Sequence, residues 1–233
     1  MRPKVKIVGV VGSPHRFGNT TIAMEEALNT AAGLGAETEL IHLLDYRINP
    51  CRGCSHCGGA CVQDDGMAEI GAKLTGSDGF LVGSPVYFGT MTSNLKTFID
   101  RTRILRHNNF QLANKPFGAI SVAGRRNGGQ ETTLLEIMIA FLRHGVIIVN
   151  NGPGTSQYGG TVWAGPIGEI AEDFWGLETC RGVARRVTEV AQIMKAGKEV
   201  LGFREEYLFS STQGSYRDHL RILKERKQEQ IKV

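Results

Sequence analysis

Four of the chain's five cysteines fall in one short run, Pro50-Cys51-Arg52-Gly53-Cys54-Ser55-His56-Cys57-Gly58-Gly59-Ala60-Cys61. Thiolates at i, i+3 and i+6 can wrap one corner of an iron–sulfur cube, each on a different iron, and Gly53, Gly58 and Gly59 relieve the backbone and expose N–H groups to sulfide. A mononuclear zinc site more often uses two knuckles separated by a long loop. In a reducing compartment so dense a cluster more often means metal than disulfide. The spacing therefore favours a [4Fe–4S] cluster on Cys51, Cys54, Cys57 and Cys61 over zinc, and either metal over free thiols or a disulfide. Only three residues separate Cys57 from Cys61, and Val62 rather than proline follows, so Cys61 is the ligand least constrained by spacing. Cys180 reads as a buried core residue. His56 reads as solvated or adjacent to the site rather than as a ligand.

Three loops carry a second kind of chemistry. Gly12-Ser13-Pro14-His15-Arg16-Phe17-Gly18-Asn19-Thr20-Thr21 joins a strand-like run to a helix. Backbone N–H groups and the helix dipole there favour an anion, the hydroxyls of Ser13, Thr20 and Thr21 add donors, and Arg16 adds a fixed charge. That set suits a phosphate monoester. It is neither a dinucleotide fingerprint nor a Walker loop. In Gly83-Ser84-Pro85-Val86-Tyr87-Phe88-Gly89-Thr90, Pro85 stiffens the turn, Gly89 permits close backbone approach, and the adjacent aromatics Tyr87 and Phe88 need a flat ligand or a partner subunit to pack on. The third loop, Ala123-Gly124-Arg125-Arg126-Asn127-Gly128-Gly129-Gln130, again presents backbone donors. Each loop alone is also compatible with a plain turn. His42, His107 and His144 lack spaced partners and read as structural, and Asp64-Asp65 can cap the helix that follows the cysteines.

Positioning these loops requires a sheet. Apolar runs at residues 5–12, 39–44, 79–83, 117–123 and 146–149 predict five strands. Between them, helices are predicted from about residue 22 with Asn19, Thr20 and Thr21 as caps, over 67–74, along Leu95, Phe98, Ile99, Thr102 and Leu105, and over 131–142. Residues 150–166 read as a long Gly-rich loop of the kind that forms lids, and 169–195 as a closing helix. Strands alternating with helices argue for an open parallel α/β sheet with helices on both faces, whose ligands bind beyond the carboxyl ends of the strands. All three ligand loops fall on that edge. The expected domain spans 1–196. Residues 197–233 form an expected helical arm with a sparse apolar stripe of Tyr216, Leu220, Leu223 and Ile231.

The 233 residues suit one generous domain, and the 30 glycines gather in loops rather than in a collagen period. The net charge of +4 resides mostly in residues 217–233, which hold six Lys/Arg and three Asp/Glu. The body lacks the basic stripe of a nucleic-acid binder, no stretch is apolar enough to span a membrane, and no signal peptide is visible, so the expectation is a cytoplasmic protein. The helix over 133–142 is apolar nearly all round, which predicts a homodimer or homotetramer.

Gly12-Ser13-Pro14 with Gly18-Asn19-Thr20, and Gly83-Ser84-Pro85-Val86-Tyr87-Phe88-Gly89 with Leu95-Lys96 and Ile99-Asp100-Arg101, resemble the NADPH-dependent FMN reductase superfamily over roughly residues 4–150. The compact cysteine run after the second strand resembles its iron–sulfur flavoproteins. The resemblance implies a flavodoxin-like fold with five parallel strands. It implies FMN, with the phosphate on Ser13, His15, Arg16, Gly18, Asn19, Thr20 and Thr21, and the ring against Pro85, Val86, Tyr87, Phe88 and Gly89 and against Ala123, Gly124, Gly128 and Gly129. It further implies an FMN-dependent oxidoreductase that exchanges electrons between ferredoxin-like carriers and a small acceptor such as dioxygen or peroxide, without a side chain in acid–base catalysis. Two rival readings are an NAD(P)H-dependent FMN or quinone reductase with a structural metal-binding loop, and a pure electron carrier.

Overall fold

The computed structural model describes residues 2–54, 57 and 60–203. His56, Gly58, Gly59 and the expected arm stripe of Tyr216, Leu220, Leu223 and Ile231 lie outside the described residues. The chain divides into two compact units, Met1–Lys195 and Ala196–Val233.

The first unit is an α/β sheet of strands β1 (Lys6–Val11), β2 (Glu37–His42), β3 (Gly79–Pro85), β4 (Pro116–Ala123), β5 (Ile147–Ile148) and β6 (Gly160–Trp163), with helices α1 (Asn19–Gly33), α2 (Met67–Thr75), α3 (Ser93–Arg101), α4 (Arg103–His107), α5 (Gln130–Leu142) and, up to Lys195, α6 (Phe174–Leu201). The strand order is β2-β1-β3-β4-β5, with β6 also on β4, and every pair is parallel. The order reverses at β1, so the crevice between β1 and β3 is the topological switch point.

The central strands are buried on both sides, which is why they read as continuous Val/Ile/Leu/Phe runs rather than as alternating ones. One face packs Met24, Ala27 and Ala31 of α1 with Cys180, Val183 and Val187 of α6. The other packs Ile70 and Leu74 of α2, Leu95 and Phe98 of α3, and Leu134, Ile137 and Phe141 of α5. Phe80, Phe117 and Phe141 meet there with ring centroids 4.7–5.5 Å apart.

Three expectations are corrected. Residues 150–166 are not all loop. The outer strand leaves the sheet after pairing Ile147 and Ile148 with Pro116 and Phe117, then returns as β6 beside Ile120–Ala123. Four residues set among glycines are too short an alternation to read as a strand. The helix along Leu95 and Leu105 is two helices that meet at Thr102, whose side chain donates to the Ile99 carbonyl (2.6 Å) and contacts the buried His144 ring (2.9 Å). Asn19, Thr20 and Thr21 are not caps: Gly18 holds the N-cap position, and the three lie in the first turn of α1.

Candidate functional site

The first loop ties itself down with its own polar groups. Buried Ser13 accepts from the His15 N–H (3.0 Å), and Thr21 donates to the Arg16 carbonyl (2.8 Å). The Gly12 N–H donates to the Gly83 carbonyl (2.9 Å), and Thr92, the N-cap of α3, donates to the Gly12 carbonyl (2.6 Å). The first and second loops are thus one unit, closed by a residue that sequence reasoning passed over. Behind them, His42 accepts from the Leu44 N–H on Nδ1 (3.3 Å), which leaves Nε2 to donate to the His15 carbonyl (3.4 Å). Burial holds this imidazole below its ordinary pKa.

Two residues expected at a phosphate are engaged elsewhere. The Arg16 guanidinium pairs with Asp45, just beyond β2. Asn19 donates to the Gly165 (3.3 Å) and Pro166 (3.2 Å) carbonyls and accepts from the Gly168 N–H (2.9 Å). It clips the segment after β6 onto the start of α1. Thr20 and Thr21 are buried where α1 begins, and His15 and Gly18 line the same bend.

The second loop is a tight turn. Tyr87 and Thr90 exchange both backbone hydrogen bonds (2.8 and 3.1 Å), with Phe88 at φ 51° and Gly89 at φ 80°. Positive φ at both central residues is the geometry of a primed hairpin turn, and it is strained for phenylalanine. The turn leaves Phe88 fully exposed and Tyr87 partly so. Pro85 and Val86 anchor it beside Val122, whose carbonyl accepts from the Val86 N–H (2.8 Å). In the third loop Gly129 has φ 99°, and a Cβ there would stand 3.0 Å from the Gly89 Cα, so the second and third loops meet backbone to backbone. Gln130 ties that loop by accepting from the Gly128 N–H (2.9 Å) and donating to the Arg125 and Arg126 carbonyls (3.1 and 3.3 Å). Ala123 is buried at the end of β4, and Gly124 is exposed just after it. All three loops stand at the carboxyl edge of the sheet. They form a surface of backbone donors, hydroxyls and an unpacked aromatic, which suits a flat ligand with an anionic tail.

The cysteine segment is built differently. Arg101, the last residue of α3, is 3% exposed and lies against Asp65. Its Nη1 donates to Asp65 Oδ2 (2.6 Å) and to the Asn49 carbonyl (2.6 Å), and its Nη2 to Asp65 Oδ1 (2.9 Å) and to the Cys61 sulfur (3.5 Å). Asp65 also accepts from the Asn49 (3.0 Å) and Met67 (3.2 Å) N–H groups, so it does serve the start of α2. Burial pushes the Asp65 carboxyl up, but Arg101 and the two N–H groups outweigh it and hold the group below the usual range. One ion pair thereby pins both ends of the cysteine segment to α3. The sequence does carry a trace of it: Arg101 stands three residues after Phe98 and four before Leu105, on the buried stripe, where a charge is out of place.

All four cysteines are free thiols, with Cys51 exposed and Cys54, Cys57 and Cys61 partly buried. Burial pushes the Cys57 thiol up, Arg103 pulls it back, and the other three thiols raise it further, so the four share one electrostatic environment. As a donor set, four free thiols within eleven residues of chain, three of them close enough to Cys57 to act on it, fit a thiolate-ligated metal group. Among the described residues no three Cys, His, Asp or Glu side chains converge as ligands of a single ion. Cys180 is buried in the core, where desolvation pushes its thiol up to about 12. Beyond Arg103, Arg106, Arg143, His107 and His144 line a cleft of about 480 Å³, with Lys96 and Asp100 paired at its edge (2.6 Å).

Residues 5–158 match the family model for NADPH-dependent FMN reductase. An iron–sulfur flavoprotein of Methanocaldococcus jannaschii is 45% identical over 193 residues, covering 82% of this chain and all of the relative. An iron–sulfur flavoprotein of Methanosarcina thermophila is 35% identical over 197 residues, covering 84% of this chain and all of the relative. Among solved structures, RosB with a bound riboflavin-phosphate intermediate superposes with a TM-score of 0.70 at 16% identity, covering 92% of this chain and 87% of that one, a likeness of fold. The described residues contain no helix long and apolar enough to cross a membrane. The flavodoxin-like sheet, the family match and the relatives agree: this chain is an FMN-dependent oxidoreductase and belongs to the iron–sulfur flavoproteins of the NADPH-dependent FMN reductase family.

Proposed function

We propose that this chain is a two-centre electron-transfer flavoprotein. FMN occupies the three-loop edge, and a [4Fe–4S] cluster is held by Cys51, Cys54, Cys57 and Cys61. When bound, the flavin exchanges two electrons and the cluster one at a time. The chain's own residues do the positioning. Ser13, His15, Gly18, Thr20 and Thr21 present the start of α1 to the phosphate, with Arg16 and Asn19 redirected from Asp45 and from the 165–168 segment. Pro85, Val86, Tyr87, Phe88 and Gly89 and the opposed Ala123, Gly124, Gly128 and Gly129 face the ring with backbone donors that favour its reduced, anionic form. The observation that carries this reading is α3. It starts at Thr92, bonded to the Gly12 carbonyl of the first loop, and ends at Arg101, bonded to Cys61. Nine residues of helix, a rise of roughly 13 Å, join the two sites.

The partner that best fits is a ferredoxin-like carrier with an acidic face. The cleft of Arg103, Arg106 and Arg143 lies beside the cysteine segment, where positive charge would steer such a carrier. Assembly as a homodimer or homotetramer is part of the proposal, because Leu135, Ile139 and Leu142 leave the outer side of α5 apolar and exposed. The test is anaerobic reduction followed by flavin bleaching. Reduced ferredoxin should bleach the wild type rapidly and Cys54→Ser slowly, with a rate that falls as salt rises. Equal, fast bleaching of both by NADPH would favour the NAD(P)H-dependent reductase instead.

A further inference from the structure

We infer that Arg101 sets the reduction potential of the cluster through Cys61, with Asp65 opposing it. The inference rests on the cluster reading above. Three observations lead to it. First, Arg101 is 3% exposed, so its charge is screened little by solvent. Second, a buried ion pair is poor evidence for stability, since desolvation offsets most of the attraction, and a well-packed apolar pair often serves as well. Keeping an arginine here needs another reason. Third, the guanidinium does not spend all its donors on Asp65. One Nη1 bond goes to the Asn49 carbonyl, before the cysteines, and one Nη2 bond to the Cys61 sulfur, after them (2.6 and 3.5 Å).

A donor aimed at a ligating sulfur draws electron density from it, and a nearby fixed positive charge favours the more negative, reduced form. Arg101 therefore raises the potential. Asp65 brings a negative charge to the same guanidinium (2.6 and 2.9 Å) and lowers it. The pair also explains why Cys61 can serve as a ligand despite its short spacing. Its sulfur is placed by α3 rather than by the cysteine run alone. Arg101 is in this sense a positioning residue, and its effect on the potential is what a purely structural brace would lack.

The experiment is a dithionite titration of anaerobically purified, full-length protein, after iron and sulfide have been assayed, with the cluster followed by its paramagnetic signal. Arg101→Gln should lower the midpoint, shifting the one-electron equilibrium at least tenfold, which is about 59 mV. Asp65→Asn should move it the opposite way. Arg101→Lys, which keeps the charge but loses the fork, should fall between the wild type and Arg101→Gln. Opposite signs would support the inference, because general loosening of the site would move both substitutions in one direction. If Arg101→Gln does not retain iron, Arg101→Lys and Asp65→Asn still decide it: midpoints equal to wild type, or shifted in the same direction, overturn the inference. A wild-type chain without iron would overturn the cluster reading itself, whereas a loaded wild type with unresponsive variants overturns only the role of Arg101.

Discussion

The two ends of α3 are built in opposite ways. At its start, three loops are shaped by backbone: carbonyls and N–H groups pair across turns, glycines at positive φ let chains touch, and side chains mostly tie the loops to themselves. At its end, a buried side-chain ion pair between elements far apart in sequence grips a segment of thiols. The shape of the first design rests more on backbone geometry than on any one side chain. The second is the reverse. Losing one partner of the pair strands a charge in a place that water cannot reach.

The largest effect should come from breaking that grip. Asp65→Ala leaves Arg101 buried and uncompensated, which costs about 3–5 kcal/mol. Urea unfolding should register the loss, and iron should leave the protein well before flavin does. Simultaneous loss of both groups would erase the distinction between the two ends.

The second effect is a pH dependence to which the cysteine end contributes through His144, alongside the smaller lowering of His42 behind the first loop. His144 braces Thr102, next to Arg101, and burial with Arg106 and Arg143 nearby lowers its pKa from 6.5 to about 4. The unfolded chain therefore binds the proton first. Stability from this group is complete above about pH 6.5 and is lost as pH falls toward 4, a span of about 3 kcal/mol. His144→Gln should make unfolding free energy less steep across that window, and an unchanged slope would remove His144 from the account.

Two smaller effects probe the backbone-built end. If Arg16 leaves its exposed pairing with Asp45 for the flavin phosphate, as proposed, Arg16→Ala should weaken FMN roughly ten- to hundredfold and leave riboflavin unchanged. Equal weakening of riboflavin would place Arg16 away from the phosphate. Gly129→Ala forces an L-residue to φ 99° against the Gly89 backbone and should cost about 1–2 kcal/mol, read as weaker flavin binding with iron content untouched.

The contrast between the two ends also governs what could be read from the sequence. Gly, Pro, Ser and Asn mark turns by their own conformational preferences, so the three loops and the sheet edge they share were legible from residue types, while the flavodoxin-like fold came from the family resemblance and the strand order from the structure. The cysteines announce themselves by spacing. Arg101 and Asp65 do not. Each is an ordinary charged residue in a helical or loop context, and only long-range packing turns them into a buried pair. The redirection of Arg16 and Asn19 was hidden for the same reason, because Asp45 and the 165–168 segment reach them only in the fold. The strand Gly160–Trp163 owes its existence to the open edge of β4 rather than to strong local propensity.

The most direct test of the two-centre account is a composition assay on anaerobically purified protein. Wild type should carry about four iron and four sulfide with one FMN per chain, and Cys54→Ser should lose the iron and sulfide while keeping FMN. Stoichiometric zinc without iron, or loss of FMN together with iron in Cys54→Ser, would contradict it.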